Sequence, residues 1–179
     1  MTLKNGTGMK LTSLPTILCL LLFASSSCLA QTSPPKPASP GQKEKTLTMH
    51  AKGPFEVKLA PQDSPDLPQG VLSRMSIDKQ FHGDLEGTSK GEMLIGGTDV
   101  KGSAGYVAME QVVGKLNGRS GSFILQHSAT MNRGVPQLSI TVVPDSGTGQ
   151  LAGLTGSMNI IITDGKHAYD FEYSLPEAH

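Results

Sequence analysis

Residues 102–175 read GSAGYVAMEQVVGKLNGRSGSFILQHSATMNRGVPQLSITVVPDSGTGQLAGLTGSMNIIITDGKHAYDFEYSL. Apolar and β-branched runs recur at Tyr106 to Leu116, Ser122 to Thr130, Leu138 to Val143, Met158 to Thr163 and His167 to Leu175, separated by glycine-bearing turns and without a helical period. Alternation of this kind is the mark of half-buried strands. Asn117-Gly118 and Asp164-Gly165 each stand between two such runs. Asn-Gly and Asp-Gly are strong two-residue hairpin signals, because both turn positions need positive φ, so each flanking strand is antiparallel to its neighbour.

Upstream, Leu47, Met49 and Ala51 alternate with polar residues, and a break is expected at Gly53-Pro54 before the short run Phe55 to Leu59. Proline there suggests an edge strand or a bulge. Pro61 to Gly70 reads as a loop. Met75, Ile77 and Phe81 share one face of the next strand, and Leu85, Gly87, Ser89, Gly91, Met93 and Ile95 share a face of the one after. Glycines at alternate strand positions mark a bend or a close approach of another backbone. The count is about eight strands with short connections and no convincing helix. That predicts an all-β fold, an eight-stranded antiparallel β-barrel in preference to a sandwich. A barrel of eight strands has room inside for its own side chains or for one small ligand.

The N-terminus is a different kind of sequence. Lys4 and Lys10 precede the apolar run Leu14 to Phe23, which passes into the small residues Ala24 to Ala30. This reads as a signal peptide over residues 1–30, and the apolar run is short for a membrane span. An uncleaved anchor, or a lipid anchor at Cys28, are the alternatives. Cys19 and Cys28 both fall in this segment, so the mature chain would be free of cysteine and would depend on core burial alone. Gln31 to Lys45 (QTSPPKPASPGQKEK) has nothing to bury and is expected to be a disordered proline-rich linker over residues 31–45. The folded domain is then residues 46–179. Export to the periplasm or the medium is the expected destination, with no stable membrane insertion once the leader is cut.

Over the whole chain 15 basic residues balance 15 acidic ones, but the domain alone carries ten against fourteen. A mildly acidic body is a poor match for nucleic acid, which is set aside as a partner.

Three stretches carry a family resemblance: FHGDLEGTS at 81–89, GKLNGRSGSF at 114–123 and VPDSGTGQLAGLTG at 143–156. On these the chain resembles DUF3224, a bacterial family of unknown function whose fold is similar to the allene oxide cyclase barrel. The likeness runs roughly from Leu47 to Leu175. It implies the barrel of the allene oxide cyclase-like type and no activity, and none of the cyclase's polar residues is carried across by a motif.

Candidate site residues come from the faces. Tyr106, Ala108, Glu110 and Val112 share one side of a strand, so Glu110 stands in an apolar row. A carboxylate there is costly unless paired or wet, and burial would raise its pKa. It could serve as a general base or hold a ligand; the plainer reading is an ion pair, with Arg119 or Arg133 as partner. His127 shares a face with Phe123, Leu125 and Ala129, where a satisfied core histidine is the commoner case. His167, Tyr169, Phe171 and Tyr173 form an aromatic row expected to face inward.

If these rows converge, Glu110 and His127 are the catalytic candidates, and Tyr106, Glu110, His127, Tyr169 and Tyr173 the ligand-binding set. No histidine pair has the spacing of a zinc site, so neither a metal nor a cofactor is expected. Ser146-Gly147-Thr148-Gly149 lacks the lysine of a phosphate loop and reads as a tight crossing that lets the barrel close.

Three functions follow. The first is an exported barrel that binds a small, largely apolar ligand in its lumen. The second is an isomerase or cyclase using Glu110 and His127 as acid and base. The third is an oligomeric structural domain, with Val107, Met109 and Val113 opposite Glu110 as the contact face of a homo-oligomer.

Overall fold

The computed structural model describes residues 47–176. The signal peptide expected at 1–30 and the linker at 31–45 lie outside the described residues. Eight antiparallel strands follow in order: β1 (Met49–Gln62), β2 (Leu72–Phe81), β3 (Leu85–Gly97), β4 (Ala104–Leu116), β5 (Arg119–Asn132), β6 (Val135–Val142), β7 (Thr155–Thr163) and β8 (Lys166–Ser174). Each pairs with the next and β8 pairs with β1, so the sheet is a closed barrel. Asn117 and Gly118 have φ of 48° and 81°, Asp164 and Gly165 of 51° and 73°. Both are the left-handed pairs that the hairpin signals demand. Arg133-Gly134 makes a third turn of this kind between β5 and β6, with φ of 49° and 90°.

β1 runs unbroken through Gly53-Pro54, which corrects the expected break. Its first half pairs with β8, from Met49 opposite Tyr173 to Phe55 opposite His167. Its second half pairs with β2, from Phe55 opposite Phe81 to Gln62 opposite Arg74. The strand therefore changes partners at Phe55, just after the glycine-proline step, where His82 and Tyr169 crowd the backbone so closely that a Cβ on Gly53 would strike the His82 carbonyl. Gly91 plays the matching part on β3. A Cβ there would run into the Met109 carbonyl of β4, so its absence lets the two backbones approach and the sheet curl.

The two ends of the barrel are built differently. One is plugged. β6 stops at Val142, and the segment after it takes over the pairing with β5: Val143 N–H donates to Ile124 O at 2.9 Å and Thr148 N–H to Ser122 O at 2.8 Å. Ser146 Oγ accepts from Ile124 N at 3.0 Å and donates to Val143 O at 2.7 Å. A single 3-10 turn, Gly149–Leu151, then carries Leu151 into the end, where it and Leu154 are fully buried. The serine and threonine of this loop are thus spent on the backbone of β5, as the reading of a closing segment requires.

Phe81, Leu85, Val112, Leu116, Phe123, Leu125, Phe171 and Tyr173 pack beneath this plug. Phe171 stacks on Phe123 with centroids 5.7 Å apart and on Tyr173 at 5.3 Å.

The opposite end is open. Along the inward row of β5, exposure rises from 0% at Leu125 and 3% at His127 to 43% at Met131. Leu59 of β1, Leu138 of β6 and Ile162 of β7, all inward by alternation, are 45%, 44% and 62% exposed. Among the described residues no helix is long and apolar enough to cross a membrane.

Candidate functional site

Between the packed half and the open half lies a layer of polar side chains. Inward positions of three neighbouring strands supply it: Lys79 on β2, Ser89 on β3 and Glu110 on β4, joined by His127 on β5. All four are buried, Glu110 completely. The register sets Lys79 opposite Ser89, and Glu110 opposite Gly91 and Leu125. The slant of the strands lets Lys79 reach Glu110 across β3.

Lys79 Nζ donates to Glu110 Oε2 at 2.6 Å, Ser89 Oγ donates to Glu110 Oε1, and His127 Nε2 lies 3.0 Å from Glu110 Oε2. The imidazole approach is close but off-line, so Nε2 forms no well-aligned hydrogen bond. The Lys79 ammonium also lies 5.4 Å from the Phe55 ring centre and 5.7 Å from that of Phe81, so the cation has aromatic faces as well as a carboxylate about it.

This arrangement corrects two expectations. The partner of Glu110 is Lys79, while Arg119 and Arg133 are exposed. The Glu110 carboxyl is also not raised. Burial alone pushes it up, but the His127 contact, the Lys79 charge and the bonds from Lys79 and Ser89 outweigh burial and hold it at about 2. Lys79 carried a signal in the sequence, since it occupies the same alternating face as Met75, Ile77 and Phe81.

Because the folded carboxyl titrates below its ordinary value of 4.5, it contributes stability that is fully present above about pH 4.5. That contribution is lost as pH falls toward 2. Urea unfolding measured across this window should show wild type losing stability more steeply than Glu110→Gln. Parallel losses would mean that the carboxyl titrates no differently in the folded and unfolded chain.

Of the five sequence candidates, Glu110 and His127 meet in this layer and Tyr106 stands above it. Tyr106 lies on the same face of β4, four residues toward the open end, and is part-buried. Burial first and the Glu110 charge second push its phenol above the ordinary value, so the hydroxyl keeps its proton at neutral pH.

Tyr169 and Tyr173 stand elsewhere. Tyr169 Oη accepts from Leu85 N at 2.8 Å and donates to His82 O at 3.0 Å, tying β8 to the β2–β3 turn. Burial is the main cause that pushes it up to about 12. Tyr173 Oη accepts from Asn117 Nδ2 at 2.8 Å at the β4–β5 turn. Both phenols are occupied at the plugged end. Alternation could place them inward, but their height along the barrel is a matter of strand stagger.

Above the polar layer, Ile95, Ala104, Tyr106, Ala129, Met131 and Leu138 line a hollow of about 260 Å³ whose wall is almost wholly apolar. Alanine at 104 and 129, where neighbouring inward positions carry large side chains, leaves the space. Outside the barrel, Val107, Met109 and Val113 are about half exposed. A groove of about 410 Å³ runs there among the outward side chains of Arg74, Glu92, Leu94, Val107, Met109 and Gln126, and Met93, Ala108 and His127 also line it. Of these two volumes the larger is on the outer wall, and none of the four buried polar residues lines the smaller one. Among the described residues no group of three histidine, cysteine, aspartate or glutamate side chains is placed to hold a metal ion.

Comparison with known proteins adds a family and a structure. The model of the family described as "Protein of unknown function (DUF3224)" matches residues 51–173. A crystal structure of a DUF3224 protein of unknown function from Shewanella oneidensis MR-1 is 50% identical in sequence. It superimposes with a TM-score of 0.69 over 74% of this chain and 100% of its own. No curated protein matches the chain.

Proposed function

The chain belongs to the DUF3224 family, and from that premise we propose that it is a binding barrel, taking a small, largely apolar molecule at the open end. One observation carries the reading. Inward-facing apolar side chains at one end are left open to water, while the same rows at the other end are sealed under the plug. Uncovered apolar surface set in a concavity is what a ligand site requires. The wall that would meet a bound molecule is apolar at Ile95, Ala129 and Leu138, with the Tyr106 phenol as the titratable group among its lining residues.

Filling the hollow tests this. Ala129→Phe should abolish displacement of an apolar fluorescent probe such as 1-anilinonaphthalene-8-sulfonate by apolar ligands, with the midpoint of urea unfolding kept or raised. A variant that binds the probe as wild type does would defeat the reading.

The basic-then-apolar N-terminus supports an exported location for this barrel, and the eight-strand closure supports its kinship with the allene oxide cyclase-like type. A second reading, an isomerase or cyclase with Glu110 and His127 as its acid and base, draws on the 3.0 Å approach of the two side chains under the hollow. It asks more of the site, because Glu110 is already engaged by Lys79 and Ser89.

A further inference from the structure

We propose that the seam between β6 and β7 is a strand-binding slot, which takes an extended, uncharged segment of another protein by backbone pairing to both of its lips. The proposal goes beyond the small-molecule reading and does not depend on it.

The seam is the weak joint of the closure. Every other pair of neighbouring strands holds seven or more residues in register. β6 and β7 share one pair, Thr141 opposite Ser157. Continued in register, Leu138 would face Ile160 and Pro136 would face Ile162, and neither pair forms.

The ladders on the far sides of the two strands show which backbone groups are left over. Val143 N–H donates to Ile124 O at 2.9 Å, so the odd-numbered residues of β6 turn their N–H and C=O groups to β5. Val135 and Asn132, which flank the Arg133-Gly134 turn, keep the same phase. Leu138 and Pro136 therefore point to β7. On β7, Thr163 and Lys166 flank the Asp164-Gly165 turn as a bonded pair, so Ile161 and Asn159 serve β8 while Ile160 and Ile162 point to β6. Proline suits its place, since its nitrogen faces no ladder. Among the described residues, no backbone bond from a turn, loop or cap reaches Leu138, Pro136, Ile160 or Ile162.

Folds commonly guard such edges with charge, above all with lysine. These lips are unguarded. Neither β6 (VPQLSITV) nor β7 (TGSMNIIIT) holds a charged residue, and Val135, Leu138, Ile161 and Ile162 are exposed. Unpaired, uncharged and rich in β-branched residues, they present the chemistry that recruits a further strand.

The lips also decide the occupant. Pairing to both at once takes a strand with both edges free. Each strand of a second copy is already paired along at least one side, so a second barrel can serve one lip at most. The chain's own ends do not supply the segment. β1 begins opposite Tyr173 at the plugged end, and β8 finishes there with only Leu175 to His179 to come. Gln31 to Lys45 holds Pro34, Pro35, Pro37 and Pro40, which lack N–H groups, and the apolar run before it belongs to the expected leader. A segment of another chain meets the requirement. Its inward side chains would lie beside Leu138, Ile160 and Ile162 and its outward ones beside Ser139, Asn159 and Thr163, so apolar and uncharged polar residues alternate along it.

Amide hydrogen exchange on the full chain tests this with a defined probe, a short peptide of alternating valine and threonine with acetyl and amide ends. Without peptide, the Leu138, Ile160 and Ile162 amides should exchange fast, while those of Ser139, Asn159 and Ile161, which serve β5 and β8, exchange slowly. With peptide at about tenfold its Kd, all three fast amides should slow about tenfold. Protection of these amides in the free protein would overturn the open slot. Its dependence on protein concentration would then tell a second copy from the chain's own N-terminal run as the occupant. Protection of one lip alone by the peptide, or of neither, would overturn pairing to both.

The same peptide N-methylated at alternate residues separates backbone pairing from apolar adhesion, because it keeps every side chain and loses the donors of one edge. It should bind about tenfold more weakly. Equal binding would sink the proposal. Leu138→Pro makes the matching change in the protein. The lost N–H faces the slot, so the urea midpoint should stay near that of wild type while the peptide is held about tenfold less tightly. A folded variant that binds the peptide unchanged would place the strand elsewhere; should the variant not fold, the N-methylated peptide decides. Displacement of 1-anilinonaphthalene-8-sulfonate by apolar ligands reads the hollow separately, so the binding reading stands or falls on its own.

Discussion

Lys79→Met is expected to lower the free energy of unfolding by about 3–5 kcal/mol, the cost of leaving a buried charge without its partner. Methionine keeps much of the stem that runs between Phe55 and Phe81, so little of the loss would come from packing. What disappears is the ammonium 2.6 Å from a carboxylate that has no exposure to water. Ser89 and His127 cannot replace it, since one is neutral and the other approaches off-line.

Adding Glu110→Leu to Lys79→Met should recover most of the loss, because two apolar side chains of similar bulk need no compensation. Urea unfolding at neutral pH measures both. A single variant that loses under 1 kcal/mol, or a double variant as weak as the single, would mean that the pair is not coupled in solution.

Phe171→Ala should cost a comparable amount, about 3–5 kcal/mol, through lost burial and the cavity left behind. Phe171 is fully buried between Phe123 and Tyr173, and the plug above them leaves neighbouring side chains little freedom to collapse into the gap. Ile95→Ala is the informative contrast. Ile95 faces the same interior but lies at the open end, where part of its surface is already wet, so its truncation should cost well under half as much. If the two substitutions cost the same, the open end is packed in solution as firmly as the plugged one, and the hollow loses its physical basis.

These two expectations describe a division of labour along the barrel axis. The plugged half supplies the burial that keeps eight strands closed without a cysteine in the domain. The open half leaves apolar surface exposed, at a cost in stability that folding alone does not explain. The polar layer of Lys79, Ser89, Glu110 and His127 separates them.

Much of this was legible in the sequence. The period of two in Tyr106 to Leu116 and in Ser122 to Thr130 placed Glu110 and His127 on inward faces, since successive side chains of a strand alternate sides whatever the fold around them. The Asn117-Gly118 and Asp164-Gly165 pairs set two hairpins, because few other residues accept positive φ at both turn positions. Lys79 was visible too, as a charge on the apolar face of its strand, but nothing local said which carboxylate it would meet.

Alternation tells on which side of the sheet a residue lies; it says nothing of its height in the barrel. Height depends on stagger between strands, which only closure determines. The slant that carries Lys79 across β3 to Glu110, and that lifts Tyr169 and Tyr173 away to the plugged end, therefore belongs to the tertiary structure. So does the difference between the two ends, for the plug exists only because residues 143–154 fold back over the rim beside β5. Local chemistry decided what faces inward; the geometry of a sheet that must meet itself decided what touches what.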